Sequence, residues 1–178
     1  MNTLPLVDPD TATDATADLL AAVQRRFGAT PNMTKAMANS PALLKGYLEL
    51  SGALNSGVLD GATREQIALA VSQVNGCSYC LSAHSYLAEH VAHLSVDDIA
   101  AARRSEAPNP KTAAVLDFAT AVNDTRGAIT ADDVEAVRSA GATDEEIAET
   151  IGHVALTVLT NYFNKAAGVD VDFPVVTM

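Results

Sequence analysis

The chain has 178 residues, of which 48% are apolar and 19% charged, a balance that excludes an intrinsically disordered protein. It contains 33 alanines, no tryptophan and only eight aromatic residues (four tyrosines and four phenylalanines), which favours close-packed helices over a β-sandwich or barrel. Eleven basic residues against 22 acidic ones give a net charge of −11, and a field of this sign repels nucleic acid.

Helix-start and helix-stop signals divide the chain into about seven to eight helices. In chain order the predicted segments are Asp14 to Phe27 before Gly28, Ala42 to Asn55 after Ser40-Pro41, a helix opened by a capping box at Thr63 to Gln66 and interrupted at Gly76, Cys77 or Ser78 to about His90, a short helix capped by Ser95, Pro110 to Asp124, Thr130 to about Gly141, and a long helix from the capping box at Thr143 through Lys165.

Residues 169–178 are predicted to form an extended tail after a helical core at about 13–168. No convincing pair of strands is present, and no serine- or glycine-rich linker marks a boundary. The sequence therefore predicts a single all-α domain over residues 1–178.

Compartment signals point to a cytoplasmic protein that does not enter a membrane. The first eight residues lack the basic and apolar regions of a signal peptide, and the longest apolar stretch, Val154 to Leu159, is far short of the ~20 residues that a spanning helix needs. Cys77 and Cys80 are the only cysteines, and two cysteines three residues apart cannot staple a distant loop. In a reducing compartment, such a pair is typical of redox or metal-binding chemistry.

A weak internal repeat relates two helix starts. The segment Gly61 to Ala68 recurs as Gly141 to Ala148, and the same register places Asn164 opposite His84. A shared ancestry of the two halves is one explanation. The other is that the repeated pattern is a helix-start signature that recurs by chance.

Cys77, Cys80 and His84 share one face of the predicted helix. At about 100° per residue, Cys80 lies ~60° and His84 ~20° from Cys77, and Cys80 and His84 are neighbours one turn apart. The positive end of the helix favours thiolate over thiol, and a neighbouring imidazole can take the thiol proton. This arrangement activates a cysteine as a nucleophile at neutral pH, and the second cysteine can close a disulfide with it.

Glu65 is open to two interpretations. If the chain reverses at Asn75-Gly76, the helices before and after it pack antiparallel, and Glu65 and His84 lie at similar heights above the bend. A hydrogen bond between them would then orient the imidazole as a proton relay. Alternatively, Glu65 is a first-turn residue that caps its helix or pairs with the helix dipole.

The spacing Glu65-x11-Cys77-x2-Cys80-x3-His84 resembles the alkyl hydroperoxidase D-like branch of the carboxymuconolactone decarboxylase family. Two flanking segments are similar to the same group: Ala38 to Leu44, and Thr160 to Lys165 together with Val171 to Pro174. The resemblance covers most of the chain from about residue 17. It implies an all-helical bundle that assembles as a homo-oligomer, commonly a trimer or hexamer.

The resemblance also implies an activity, the thiol-dependent reduction of hydroperoxides. By this analogy Cys80 is the peroxidatic thiol, Cys77 resolves its sulfenic acid as a disulfide, and Glu65 with His84 forms the proton relay. An external dithiol, lipoyl or thioredoxin-like, would reduce the disulfide, and no cofactor or metal is implied. Alkyl hydroperoxidase D itself has histidine where this chain has Tyr79, whose phenol can donate a hydrogen bond but is a poor base near pH 7.

Two other functions are compatible with the sequence. Cys77, Cys80, His84 and Glu65 could supply four zinc ligands in a metal-binding or redox-sensing module. Decarboxylase-type chemistry without redox is the other, and it would need a pocket that binds carboxylates. Outside this cluster, His153 is expected to be a hydrogen-bonded core histidine, and Met33 and Met37 are expected to be packing residues.

Overall fold

Nine α-helices form the fold in the computed structural model, which describes residues 2–178. No strand is present among these residues, so the predicted all-α class is confirmed. The helices are α1 (Asp14–Phe27), α2 (Asn32–Met37), α3 (Pro41–Asn55), α4 (Gly61–Val74), α5 (Ser78–His90), α6 (Val96–Ala102), α7 (Pro110–Asp124), α8 (Ala131–Ser139) and α9 (Asp144–Ala167). Residues 2–178 thus contain one helix more than the eight that the sequence predicted, because α2 was not anticipated.

Most helices begin where their capping residues predict. The hydroxyl of Ser40 accepts a hydrogen bond from the backbone N–H of Leu43, and Ser95 caps α6 in the same way. Thr130 and Thr143 each take part in a full capping box, in which the third helical residue returns a bond to the capping residue. Gly28 ends α1 in the left-handed region at φ 73°, as its position predicts.

The predicted start of α4 is wrong by three residues, because the capping residue is Asp60 and not Thr63. Asp60 caps this helix and accepts hydrogen bonds from the backbone N–H of Thr63 at 2.9 Å and from its hydroxyl at 3.0 Å. Thr63 is therefore inside the helix and does not open a capping box. Because the carboxylate of Asp60 already accepts the free backbone N–H of Thr63 in the first turn, Glu65 has no capping role. Its side chain is therefore available for a tertiary contact.

The repeated segments do not start their helices at the same point. In the first copy α4 begins at Gly61, whereas in the second copy α9 begins at Asp144, three residues beyond Gly141. The α9 helix then runs on for 24 residues, while α4 ends at Val74 and the chain turns at Gly76 with φ 61°. The repeat in the sequence thus does not produce a repeat in the helices.

Two hydrophobic clusters make up the core. The first is formed by side chains of α4 to α9, with Ile67, Leu81 and Leu116 fully buried. The second joins α1, α2 and α3 to the start of α5 and the C-terminal tail. Cys77 and Cys80 belong to the second cluster, and so does Tyr79. The predicted reversal at Asn75-Gly76 folds α5 back against α4, so that the start of α5 carries the CxxC segment in the second cluster while Leu81 and Ala88 of the same helix pack in the first.

Within residues 2–178, no helix combines the length and the apolar character that crossing a bilayer would require.

Candidate active site

The two cysteines form a disulfide at the start of α5. Cys77 is the capping residue of this helix, its Cα lies 5.3 Å from that of Cys80, and its Sγ accepts the backbone N–H of Cys80 at 3.3 Å. Only 1% of Cys77 and 2% of Cys80 is exposed. The local sequence sets this arrangement, because a capping residue and the third helical residue face each other across the first turn.

Glu65 and His84 are in direct contact across the α4–α5 hairpin. The Nδ1 atom of His84 lies 2.8 Å from Oε2 of Glu65, and both side chains are about one-quarter exposed. A carboxylate can only accept, so Nδ1 carries the proton and Nε2 of the neutral ring is left with its lone pair. Of the two interpretations of Glu65, the structure therefore has the tertiary contact and not the cap.

A cavity of about 560 Å³ opens beside Cys80 and His84. Cys77 and Glu65 do not line it, so one cysteine faces the cavity and the other lies behind it. Its walls are mainly apolar, and no lysine or arginine stands among the described residues that form them. The other wall residues include Phe27, Pro31, Met33, Tyr47, Tyr86, Leu87, Phe173 and Pro174.

Tyr79, the residue before Cys80, ties three segments together. Its ring is 5% exposed and meets Phe173 of the tail edge-on, with the ring centroids 5.9 Å apart. Its hydroxyl accepts the backbone N–H of Met33 at 3.2 Å, and the negative charge of Asp172 lies nearby. Burial raises the pKa of this phenol above its usual range, so Tyr79 is a neutral donor and acceptor throughout the physiological range.

Tyr47 of α3 also lines the cavity. Burial raises the pKa of its hydroxyl to about 12; the positive charge of Arg26 opposes this shift and the negative charge of Glu65 adds to it. Its phenol is therefore protonated at neutral pH.

Asn164 is a site residue that the sequence analysis did not select. It lies on α9, is 3% exposed and lines the cavity, and its Nδ2 donates to Sγ of Cys80 at 3.3 Å. One signal could have found it, since the register of the internal repeat places Asn164 opposite His84. The family resemblance of Thr160 to Lys165 and of Val171 to Pro174 was a second signal, and it also covers Asp172, whose carboxylate accepts the first N–H of α2, from Asn32, at 2.8 Å.

His153 lies outside this site, in the interior of α9. It is 6% exposed, and burial lowers the pKa of its imidazole, with the positive charge of Arg64 contributing in the same direction. Over residues 2–178, no group of three or more histidine, cysteine, aspartate and glutamate side chains is arranged to hold a metal ion. The four candidate ligands thus form two separate pairs, a disulfide and a hydrogen-bonded carboxylate and imidazole.

Comparison with known families agrees with the motif. Residues 41–124, which include Glu65, both cysteines and His84, match the Carboxymuconolactone decarboxylase family. This confirms the predicted family resemblance. A comparison with curated protein sequences gives no match.

Solved structures of the same fold extend the similarity over nearly the whole chain. A peroxidase-related protein from Ralstonia eutropha JMP134, described as an alkylhydroperoxidase AhpD core, has a TM-score of 0.85 and 26% identity, covering 96% of this chain and 92% of that one. A peroxidase-related protein from Silicibacter sp. TM1040 has a TM-score of 0.81 and 26% identity, with 94% and 88% covered. The debrominase Bmp8 shares the fold at 20% identity, with a TM-score of 0.79 and 96% and 91% covered.

Proposed function

We propose that this member of the alkyl hydroperoxidase D-like branch is a thiol-dependent peroxidase that reduces organic hydroperoxides through a Cys77–Cys80 dithiol–disulfide cycle. One observation carries the proposal. Cys80 and His84 line the same cavity, while Cys77 lies behind Cys80 within disulfide distance. This arrangement supports the assignment of Cys80 as the nucleophile, His84 as the base and Cys77 as the resolving thiol.

The first half of the cycle oxidises Cys80. Its thiol gives a proton to Nε2 of His84, and the thiolate attacks the terminal, hydrogen-bearing oxygen of the hydroperoxide. The O–O bond breaks, Cys80 becomes a sulfenic acid, and the alkoxide takes the proton from His84 and leaves as an alcohol. Glu65 keeps the proton on Nδ1, so that Nε2 accepts and returns the transferred proton.

The second half returns the enzyme to its dithiol state. The thiol of Cys77 attacks the sulfur of the sulfenic acid, and the disulfide forms with loss of water. An external dithiol then exchanges with the disulfide and is itself oxidised. Because the disulfide is nearly inaccessible apart from the cavity that Cys80 lines, a dithiol on a slender arm, such as a lipoyl group, fits this access better than a thioredoxin-like surface.

The walls of the cavity favour an uncharged substrate. A pocket for carboxylates, which decarboxylase-type chemistry would require, needs lysine or arginine, and none stands among its described wall residues. The apolar walls instead favour hydroperoxides with alkyl or aryl groups.

Substitution of the two cysteines tests the proposal. Cys80→Ser should abolish hydroperoxide turnover in stopped-flow assays, whereas Cys77→Ser should accumulate a sulfenic acid that a dimedone-type reagent traps. His84→Gln should lower the rate constant of Cys80 oxidation by roughly 10²–10⁴-fold. His90→Gln, on the same helix but outside the cavity, is the matched control and should react as the parent does. Equal turnover in Cys80→Ser and the parent would refute the proposal.

The proposed assembly is a homo-oligomer, a trimer or hexamer. Its support is a set of exposed apolar side chains on α3 and α9: Leu50, Ile151 and Tyr162 are 41%, 42% and 58% exposed. Light scattering tests this part, and a monomeric mass would contradict it.

A further inference from the structure

The side-chain amide of Asn164 is held against two sulfur atoms. Its Nδ2 lies 3.3 Å from Sγ of Cys80 and 3.3 Å from Sδ of Met33, and its Oδ1 is buried without a hydrogen-bond partner. A buried acceptor without a hydrogen bond is unfavourable, so the contacts of Nδ2 with the two sulfur atoms must offset the cost of leaving Oδ1 without a partner.

The chemistry of the two sulfurs fixes the orientation of the amide. A thioether and a disulfide sulfur have no proton to donate, so the N–H groups of Asn164 must face them. When the disulfide is reduced and Cys80 ionises, the same N–H group faces a full negative charge on Sγ. A neutral amide donor then becomes a donor to an anion, which is the stronger kind of hydrogen bond.

We propose that Asn164 is a catalytic residue that stabilises the thiolate of Cys80 by donating its Nδ2–H to Sγ. The ionisation itself balances without a further reactant, since the thiol proton moves to Nε2 of His84. The role in peroxide turnover rests on the function proposed above, but the stabilisation of the thiolate does not depend on which substrate the thiolate attacks.

The surroundings leave few other groups to stabilise this anion. No lysine or arginine is among the described residues around the cavity, and α9 contributes Asn164 and the neutral Thr160. The titratable groups that face the cavity are His84 and Tyr86 from α5, Tyr47 from α3, Tyr79 beside Cys80, and Asp172 from the tail. Of these, only His84 can carry a positive charge, so the amide of Asn164 and the N–H groups at the start of α5 are the fixed donors.

The pKa of Cys80 tests the inference directly. In protein carrying Cys77→Ser, so that one thiol remains, thiolate absorbance and the pH profile of iodoacetamide alkylation both report this pKa. Asn164→Leu conserves the volume but removes the donor, and should raise the pKa by about one to two units. Asn164→Asp should raise it further, because a carboxylate cannot donate and repels the thiolate.

Thr160→Val is the matched control. Thr160 lies on the same helix and the same wall, but its hydroxyl donates to the backbone carbonyl of Thr157 at 2.9 Å, so this variant should leave the pKa of Cys80 unchanged. Thermal melts show whether each variant is folded, and the Asp variant decides the matter if the Leu variant does not fold. Folded Asn164 variants whose pKa equals that of the control would overturn the inference. Absence of hydroperoxide turnover in the parent protein would refute the proposed reaction and leave this result standing.

Discussion

Replacing Tyr79 by phenylalanine removes one hydroxyl and leaves the ring in place. The edge-on contact with Phe173 is kept, while the backbone N–H of Met33 loses its acceptor. Met33 is the second residue of α2, so this N–H group cannot bond within its own helix. It is also poorly placed to find water, because Met33 is only 9% exposed.

The expected cost follows from that orphaned N–H group. A buried donor left without an acceptor destabilises a protein by about 1–3 kcal/mol. For a chain of this size, each kcal/mol lowers the melting temperature by about 2–4 °C, so Tyr79→Phe should melt about 2–12 °C below the parent.

Thermal unfolding of the oxidised protein, followed by circular dichroism, measures this difference. Arg25→Lys is the control, since Arg25 is exposed and a surface change of this kind costs less than about 0.5 kcal/mol. If both variants melt at the temperature of the parent, the hydroxyl of Tyr79 does not tie α2 to the start of α5, and the reasoning fails.

Three further predictions concern other parts of the chain. Burial raises the pKa of Tyr47 to about 12, so as the pH rises the unfolded chain loses the phenol proton of Tyr47 before the folded protein does. The free energy of unfolding should therefore fall by about 1.4 kcal/mol per pH unit between pH 10 and 12. Denaturant titrations at alkaline pH should show a shallower fall for Tyr47→Phe. A Cβ on Gly57 would meet the carboxylate of Glu149, which accepts the backbone N–H groups of the two residues after Gly57. Gly57→Ala should therefore lower the free energy of unfolding by about 1–2 kcal/mol. In a double-mutant cycle, Gly57→Ala should cost much less when Glu149→Ala is already present. Glu65→Gln should slow peroxide oxidation of Cys80 roughly ten- to hundredfold in stopped-flow traces, since a neutral amide accepts the hydrogen bond of His84 less strongly than a carboxylate does. An unchanged rate would exclude the relay.

Local chemistry explains which helices were predictable. Ser40, Ser95, Thr130 and Thr143 cap their helices through bonds that span only three residues, and such bonds are visible in the sequence. At α4 the sequence offers two capping residues in succession, and the carboxylate of Asp60 takes the role that was assigned to Thr63. The α2 helix has six residues and no side-chain cap, so it depends on distant groups.

The candidate site divides in the same way. The contact between Glu65 and His84 could be predicted because a short turn joins α4 to α5, and helix geometry then sets the heights of both side chains. Asn164 reaches Cys80 from α9, 84 residues further along the chain. Asp172 reaches Asn32 from the tail, 140 residues further along the chain. Their positions follow from the packing of the whole bundle, which periodicity and spacing do not encode.

The location of the disulfide in the second hydrophobic cluster has a consequence for the kinetics of its reduction. That cluster joins the first three helices and the tail to the start of α5 and the end of α9, whereas α4, α6, α7 and α8 pack in the first cluster. Exposed segments without helical hydrogen bonds open at lower free energy than the centre of a protein, and in the tail Val175 and Met178 are 72% and 65% exposed. Fraying of the tail around Phe173 would widen the mouth above Cys80 while the α4–α5 hairpin stays folded. Amide exchange in the tail and in α2 therefore sets an upper limit on how often a bulky reductant can enter.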